Sequence, residues 1–216
     1  MTIKVLIVDD QQLVRSGFRL LLEETDGITI AGEASTGVEA VAAAETLKPD
    51  VVMMDIRMPD MDGIEATKRI VQRHPDSRIL ALTTFDDEPT VRDMLAAGAS
   101  GFLLKDTEPA KLIDAIHVLH RGDALLSPSI TRLLLTDVSA AGSDTDRLRD
   151  LTDREIEVLC EVGRGLSNAE IAVALSMSPL TAKTHVSRLL KKLHLRDRVQ
   201  LAITAYETGL IRPGAS

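Results

Sequence analysis

The sequence predicts an α/β doubly wound fold, a five-stranded parallel sheet wrapped by helices, followed by a separate all-α domain of four helices. Three observations lead there. Short runs rich in Ile, Val and Leu alternate with helical patterns over the first part of the chain, the charge balance breaks near residue 140, and the final third carries helical periodicity alone.

The apolar runs come in order at Lys4–Val8, Thr29–Glu33, Val51–Met54, Arg78–Thr83 and Gly101–Leu104, each about the length of a buried parallel strand. Between and after them lie apolar positions at helical spacing: Leu13, Phe18, Leu21 and Leu22; Val38, Val41 and Ala42; Ile64, Ile70 and Val71; Val91, Leu95 and Ala96; Leu112, Ile116 and Leu119. Strand and helix in strict alternation imply parallel pairing with helices on both faces.

Composition narrows the class. The chain has 216 residues, 44% of them apolar, and the charged residues are mixed among Leu, Ile, Val and Ala, as in a folding chain. The lone cysteine, Cys160, excludes an internal disulfide and a thiolate metal cage, reads as a small buried apolar residue, and fits a reducing cytosol. No apolar stretch approaches the roughly 18 residues that span a bilayer, so neither a membrane anchor nor export is expected. The cluster Met53, Met54, Met58 and Met61 reads as core and loop packing.

The first 140 residues carry 14 Lys and Arg against 23 Asp and Glu, whereas the remaining residues carry 11 against 10. Within the latter, Ser178 to Arg198 holds six cations and one acid, Asp197. Asp137 to Asp146 is small and polar, with nothing to bury, and reads as a linker. The expected organisation is residues 1–122, a helix end and linker over 123–147, and a second domain over 148–216.

In a doubly wound sheet, ligands bind at the carboxyl ends of the strands. Here the first strand runs into Asp9 and Asp10, the third into Asp55, the fourth into Thr83 and Thr84, and the fifth into Lys105. Three carboxylates at one edge repel unless a cation neutralises them, and hard oxygen ligands with room for water describe a Mg²⁺ site. With Mg²⁺ and Lys105 in place the pocket is neutral and accepts a phosphoryl dianion, which a carboxylate can attack to give an aspartyl phosphate.

The ordered set Val8-Asp9-Asp10, Met54-Asp55-Ile56-Arg57-Met58-Pro59-Asp60-Met61-Asp62-Gly63, Leu82-Thr83-Thr84 and Gly98-Ala99-Ser100-Gly101-Phe102-Leu103-Leu104-Lys105 resembles a response-regulator receiver domain, with its flavodoxin-like fold, over about residues 3–121. The resemblance implies that Asp55 accepts the phosphoryl group. It places the metal between Asp9, Asp10, Asp55 and the Arg57 backbone carbonyl, Thr83 and Lys105 on the phosphoryl group, and Phe102 as an aromatic switch working with Thr83. Asp106 follows Lys105 where many receivers have a proline and a cis bond.

In the second domain, Thr152 and Glu155 stand at capping-box spacing before Ile156, Leu159 and Val162, and Ser167 and Glu170 repeat that spacing before Ile171, Ala172 and Leu175. After the turn Ser176-Met177-Ser178, Ser178 caps a third helix with Pro179 at its first position. Ala182, Val186, Leu189, Leu190 and Leu193 form one apolar stripe, and the opposite face gathers Lys183, Thr184, Ser187, Arg188 and Lys191. Cations and small hydrogen-bonding groups on one helix face suit phosphates and base edges in a major groove. A last helix, capped by Asp197, carries Val199, Ala202, Ile203 and Tyr206, which can serve as packing within the domain. His185 and His194 lack further ligands at metal spacing.

Leu151 to Leu159, Gly165 to Ala172 and Thr181 to Val186 resemble a LuxR-type DNA-binding domain over about residues 148–212. The resemblance puts Lys183, Thr184 and Ser187 on bases and Arg188 and Lys191 on phosphate, and makes the helix with Val199, Ala202, Ile203 and Tyr206 a dimer face. Relatives often have Val at position 182 and Lys at 187, where Ala182 and Ser187 stand, so the base preference is open.

Together the halves resemble a NarL/FixJ-type two-component response regulator. That resemblance implies a cytoplasmic transcription factor, not an enzyme beyond slow autodephosphorylation, whose partners are a sensor histidine kinase, promoter DNA, RNA polymerase and a second copy of itself on DNA. Phosphorylation would shift the receiver from a state that covers the recognition helix to one that frees it. The rival with the same fold is a pseudo-receiver that binds DNA without phosphorylation. A haloacid-dehalogenase-like phosphatase also makes an aspartyl phosphate, but wants an Asp where Arg57 stands.

Overall fold

The computed structural model describes residues 2–84, 88–122 and 145–211. The chain divides into two compact units, Met1–Leu125 and Leu126–Ser216.

In the first unit, β1 (Ile3–Val8), β2 (Ile28–Ala34), β3 (Val51–Asp55), β4 (Arg78–Thr83) and β5 (Gly101–Leu104) alternate with α1 (Gln12–Glu23), α2 (Gly37–Leu47), α3 (Gly63–Arg73), α4 (Glu88–Ala96) and α5 (Pro109–His120). All pairings are parallel, in the order β2-β1-β3-β4-β5. Each strand lies within one residue of the run read from sequence, and the short apolar runs bounded by polar turns are buried on both faces in the inner strands β1, β3 and β4, whereas the edge strand β2 is only partly buried.

Alternation along the strands divides the core. Ile3, Val5, Ile7, Val51, Met53, Leu80 and Leu82 meet Leu22 of α1 and Leu112, Ala115, Ile116 and Leu119 of α5. The intervening Leu6, Val8, Val52 and Met54 are equally buried, on the side of α2 and α3. The chain therefore winds one way from β1 to β2 and the other way from β1 to β3, as right-handed crossovers require. That reversal opens a crevice at the carboxyl ends of β1 and β3.

Three helix faces differ from the periodicity reading. Leu13 is 86% exposed, because the first turn of α1 stands at the carboxyl end of the sheet, past the residues it could pack on. In α2, Val38 and Ala42 face solvent and Val41 is half-buried, while Gly37, Ala40 and Ala44 are buried. The helix sits so close to its neighbours that a Cβ on Gly37 would lie 2.4 Å from the Met61 carbonyl, so the small residues rather than the larger ones face inward. In α4, Val91 and Leu95 are buried as read, but Met94 rather than Ala96 completes the inward face.

The predicted linker falls almost wholly outside the described residues, and its end opens a 3₁₀ turn, Thr145–Leu148. The second unit then forms α6 (Asp153–Gly163), α7 (Asn168–Ala174), α8 (Pro179–Lys192) and α9 (Arg198–Glu207). Thr152 with Glu155 and Ser167 with Glu170 both close capping boxes, Ser178 accepts from the Thr181 N–H, and Asp197 accepts from the Gln200 N–H. Val158, Leu159, Val162, Ile171, Ala182, Val186, Leu189, Leu201 and Ala205 form its core. Val199, Ala202 and Tyr206 are buried within this unit, and the Tyr206 hydroxyl donates to the Gly163 carbonyl at 3.0 Å, so most of the α9 face read as packing or dimer surface is spent on packing. Cys160 is half-buried rather than fully enclosed. No helix among the described residues is long and apolar enough to cross a membrane.

Candidate functional site

Strand register builds the first site. Val8 lies opposite Met54, Asp55 opposite Leu82 and Thr83 opposite Leu104. Asp9 and Asp55 therefore stand level at the ends of β1 and β3, with Thr83 one residue and Lys105 two residues further along β4 and β5, all at the same edge of the sheet. Asp9, Asp55 and Thr83 are buried and Asp10 is exposed.

The carboxylate oxygens of Asp9, Asp10 and Asp55 all lie within 4.8 Å of one another. The Lys105 ammonium reaches Asp9 Oδ2 at 2.6 Å and Asp55 Oδ2 at 2.9 Å, with its side chain only 10% exposed. Burial pushes the Asp55 carboxyl above its ordinary value, since desolvation outweighs Lys105 and the hydrogen bond from the Arg57 backbone N–H. Burial alone would lower the Lys105 ammonium, but its hydrogen bonds to Asp9 and Asp55 outweigh that and hold it above the ordinary value. The lysine is thus firmly charged.

Three clustered carboxylates with one charged lysine leave an excess of negative charge in a mostly enclosed space. An octahedral Mg²⁺ holds oxygens at about 2.1 Å and so at most about 4.2 Å apart, close to the present spacing, and the exposed edge at Asp10 leaves room for water. The donor set fits a small hard dication.

Thr83 ends β4 in the buried layer, and Phe102 is buried in β5 opposite Ala81. The Arg57 side chain is exposed on the loop after β3, beside a groove of about 520 Å³ that also touches Ile56, Met58, Asp62, Ile64 and Thr90. Among the described residues no peptide bond is cis, the one between Lys105 and Asp106 included.

Two residues of this site were given no role by the sequence. Arg15 donates to the Asp9 carbonyl at 2.7 Å and pairs with Glu33 at 3.5 Å, which fixes the acidic loop to the edge of β2. Gly63 opens α3 where an added Cβ would lie 2.1 Å from the Asp55 carbonyl oxygen. The glycine after the Asp62 cap was the available signal for the second, and nothing local marked the first.

The second site is the outer face of α8. Lys183, Thr184, Ser187, Arg188 and Lys191 are all exposed, opposite buried Ala182, Val186 and Leu189. The short α7, the turn through Ser176 at φ 51° and the capped α8 compose a helix-turn-helix.

Half of the six cations counted in the basic window are engaged inside this unit. Lys192 reaches Glu155 at 2.7 Å and the Asp150 carbonyl at 3.1 Å. Arg196 pairs with Asp197 at 3.3 Å, and the buried Arg198 donates to Asn168 Oδ1 and the Leu166 carbonyl. Lys183, Arg188 and Lys191 make no ion pair among the described residues and form the outward charge.

The Lys192 hydrogen bond, with the Thr152 backbone N–H, lowers Glu155 from 4.5 to about 2. A folded value below the unfolded one gives stability that is full above about pH 4.5 and is lost as pH falls toward 2. The chain has one tyrosine and no tryptophan, so Tyr206 fluorescence reports this unit alone. Its urea midpoint is expected to fall between pH 5 and pH 3, and to fall less in Glu155→Gln; equal pH dependence in both proteins would remove Glu155 as the cause.

Residues 5–117 match the family model described as response regulator receiver domain, and residues 149–205 match bacterial regulatory proteins, luxR family. The chain is 44% identical over 208 residues to the uncharacterized transcriptional regulatory protein YhcZ of Bacillus subtilis (strain 168), covering 96% of this chain and 97% of that one. It is 39% identical to the response regulator protein VraR of Staphylococcus aureus (strain NCTC 8325 / PS 47), covering 98% and 100%. Among solved structures, the response regulator ChrA of a heme-sensing two-component system is 35% identical with a TM-score of 0.53, covering 97% of this chain and 99% of that one.

Proposed function

Since the chain belongs to the response regulators that join a receiver domain to a LuxR-type DNA-binding domain, and is thus a transcriptional regulator, we propose that phosphorylation of Asp55 by a sensor histidine kinase controls its sequence-specific binding to promoter DNA. One observation carries this reading: Asp9, Asp10 and Asp55 converge within 4.8 Å with Lys105 on two of them.

In this reading an Asp55 carboxylate oxygen attacks the phosphorus of a phosphohistidine, the P–N bond breaks and the imidazole leaves. Asp9, Asp10, Asp55 and the Arg57 carbonyl would hold Mg²⁺, which supplies charge neutralisation for the incoming phosphoryl oxygens. Lys105, already fully charged, turns from the Asp55 carboxylate to the new phosphoryl group. The Thr83 hydroxyl donates to a phosphoryl oxygen, and Phe102, buried on the neighbouring β5, transmits the change.

The protein stores the phosphoryl group and sheds it slowly by autodephosphorylation rather than turning over a substrate. Lys183, Thr184 and Ser187 meet base edges, and Arg188 and Lys191 hold phosphates, as their exposure on α8 supports. Two copies on paired half-sites, in the cytoplasm and beside RNA polymerase, complete the reading.

The test incubates the full chain with acetyl phosphate and Mg²⁺, follows intact mass, and runs the same samples on promoter DNA in a gel shift at fixed salt. One added phosphoryl group, prevented by EDTA and accompanied by tighter DNA binding, is the expected result. Unlabelled protein that binds DNA equally well with and without the donor overturns the switch and leaves a phosphorylation-independent DNA-binding protein.

A further inference from the structure

We propose that Leu180 is a specificity-determining residue that reads a thymine 5-methyl group in the major groove. The proposal rests on the DNA-binding reading of α8 and adds to it a residue that the charge pattern does not reveal.

Leu180 is 75% exposed, whereas the inward apolar residues of the same helix, Ala182, Val186 and Leu189, are at most 6% exposed. It stands one residue after Pro179, in the first turn of α8, which is the part of a recognition helix that meets base edges. Thr184, Ser187 and Lys191 follow it at i+4, i+7 and i+11, so Leu180 extends the outward stripe toward the helix start.

A second observation concerns Thr184. Its hydroxyl donates to the Leu180 carbonyl at 2.9 Å, so its proton is committed to the helix and is not offered to a base acceptor. The first turn and a half of the stripe thus presents an isobutyl group and a hydroxyl without a spare proton, while the cations Lys183, Arg188 and Lys191 flank it or lie further along.

An isobutyl group can bond neither a phosphate nor a polar base edge. The one apolar group that bases present in the major groove is the thymine methyl. Lys183, Arg188 and Lys191 draw the helix onto phosphates, which brings Leu180 against the groove floor and takes its surface out of water. Leu180 then favours thymine at one fixed position in each half-site.

The test enriches a random duplex library on the full chain treated with acetyl phosphate, then replaces each thymine of the enriched half-site singly with deoxyuridine, which lacks only the methyl. Wild type is expected to lose about fourfold in affinity at one thymine, the worth of about 0.8 kcal/mol for one buried methyl. Leu180→Ala is expected to bind the thymine duplex more weakly and to be indifferent to deoxyuridine at that position. Because Leu180 contributes nothing to the core, an unchanged Tyr206 urea midpoint shows that the variant is folded.

Enrichment with the same deoxyuridine profile in both proteins overturns the proposal and leaves the DNA-binding reading standing. Absence of any enrichment, with or without the phosphodonor, removes both.

Discussion

Asp55→Asn is expected to lose phosphoryl labelling entirely while folding at least as well as the wild type. The amide oxygen of asparagine is no nucleophile toward phosphorus, and the proposed acceptor role rests on Asp55 alone. Stability goes the other way. Burial raises the Asp55 carboxyl above 3.8, so the folded, metal-free protein binds that proton more tightly than the unfolded chain does. Ionised Asp55 therefore weighs against the fold at neutral pH, and the neutral isostere removes that cost while still accepting from Lys105. Intact mass after acetyl phosphate treatment and a far-ultraviolet urea transition at pH 7 read the two halves of this expectation. A labelled variant would mean a different acceptor, and an earlier transition would make Asp55 a structural residue first.

Gly63→Val is expected to cost about 3 kcal/mol of stability, together with slower labelling. Here the added side chain meets fixed backbone: a Cβ would lie 2.1 Å from the Asp55 carbonyl oxygen and 2.9 Å from Ile56 Cα. The Gly63 N–H also donates to the Ile56 carbonyl at 2.8 Å, so α3 cannot swing away without losing that bond. Relief requires moving Asp55, which displaces its carboxylate from Lys105. Gly17→Ala is the control, since nothing stands within 4 Å of its added Cβ, and alanine inside α1 is expected to be neutral or stabilising by about 0.5–1 kcal/mol. Urea midpoints and labelling rates of the two variants separate a local clash from a general intolerance of glycine replacement; equal behaviour would discard the argument.

Much of the chemistry is legible in the sequence. Asp9, Asp10, Asp55, Thr83 and Lys105 each end a run of apolar β-formers, and strand ends in a parallel sheet share one edge, so their meeting follows from topology alone. Helix starts were equally plain, because Thr152, Ser167, Ser178 and Asp197 cap by bonds within three residues of themselves. Helix faces were less legible. Val38 and Ala42 fit a helical period, yet α2 turns Ala40 and Ala44 inward, since how closely a helix approaches its neighbours belongs to the partners as much as to its own residues.

The sequence by itself determined the type and order of the elements, the identity of the residues at the sheet edge and the outward face of α8, all consequences of periods and caps spanning a few residues. Tertiary structure decided what depends on distant partners. The strand register levels Asp9 with Asp55 and sets Thr83 one residue and Lys105 two residues further along their strands, and the approach of α3 to Asp55 demands Gly63. Pairing across 37 residues takes Lys192 to Glu155 and out of the basic face. A charge count along the chain treats Lys191 and Lys192 alike. Only packing, by burying the Glu155 carboxylate within reach of one of them, makes the first a candidate for phosphate and the second a tie between helices.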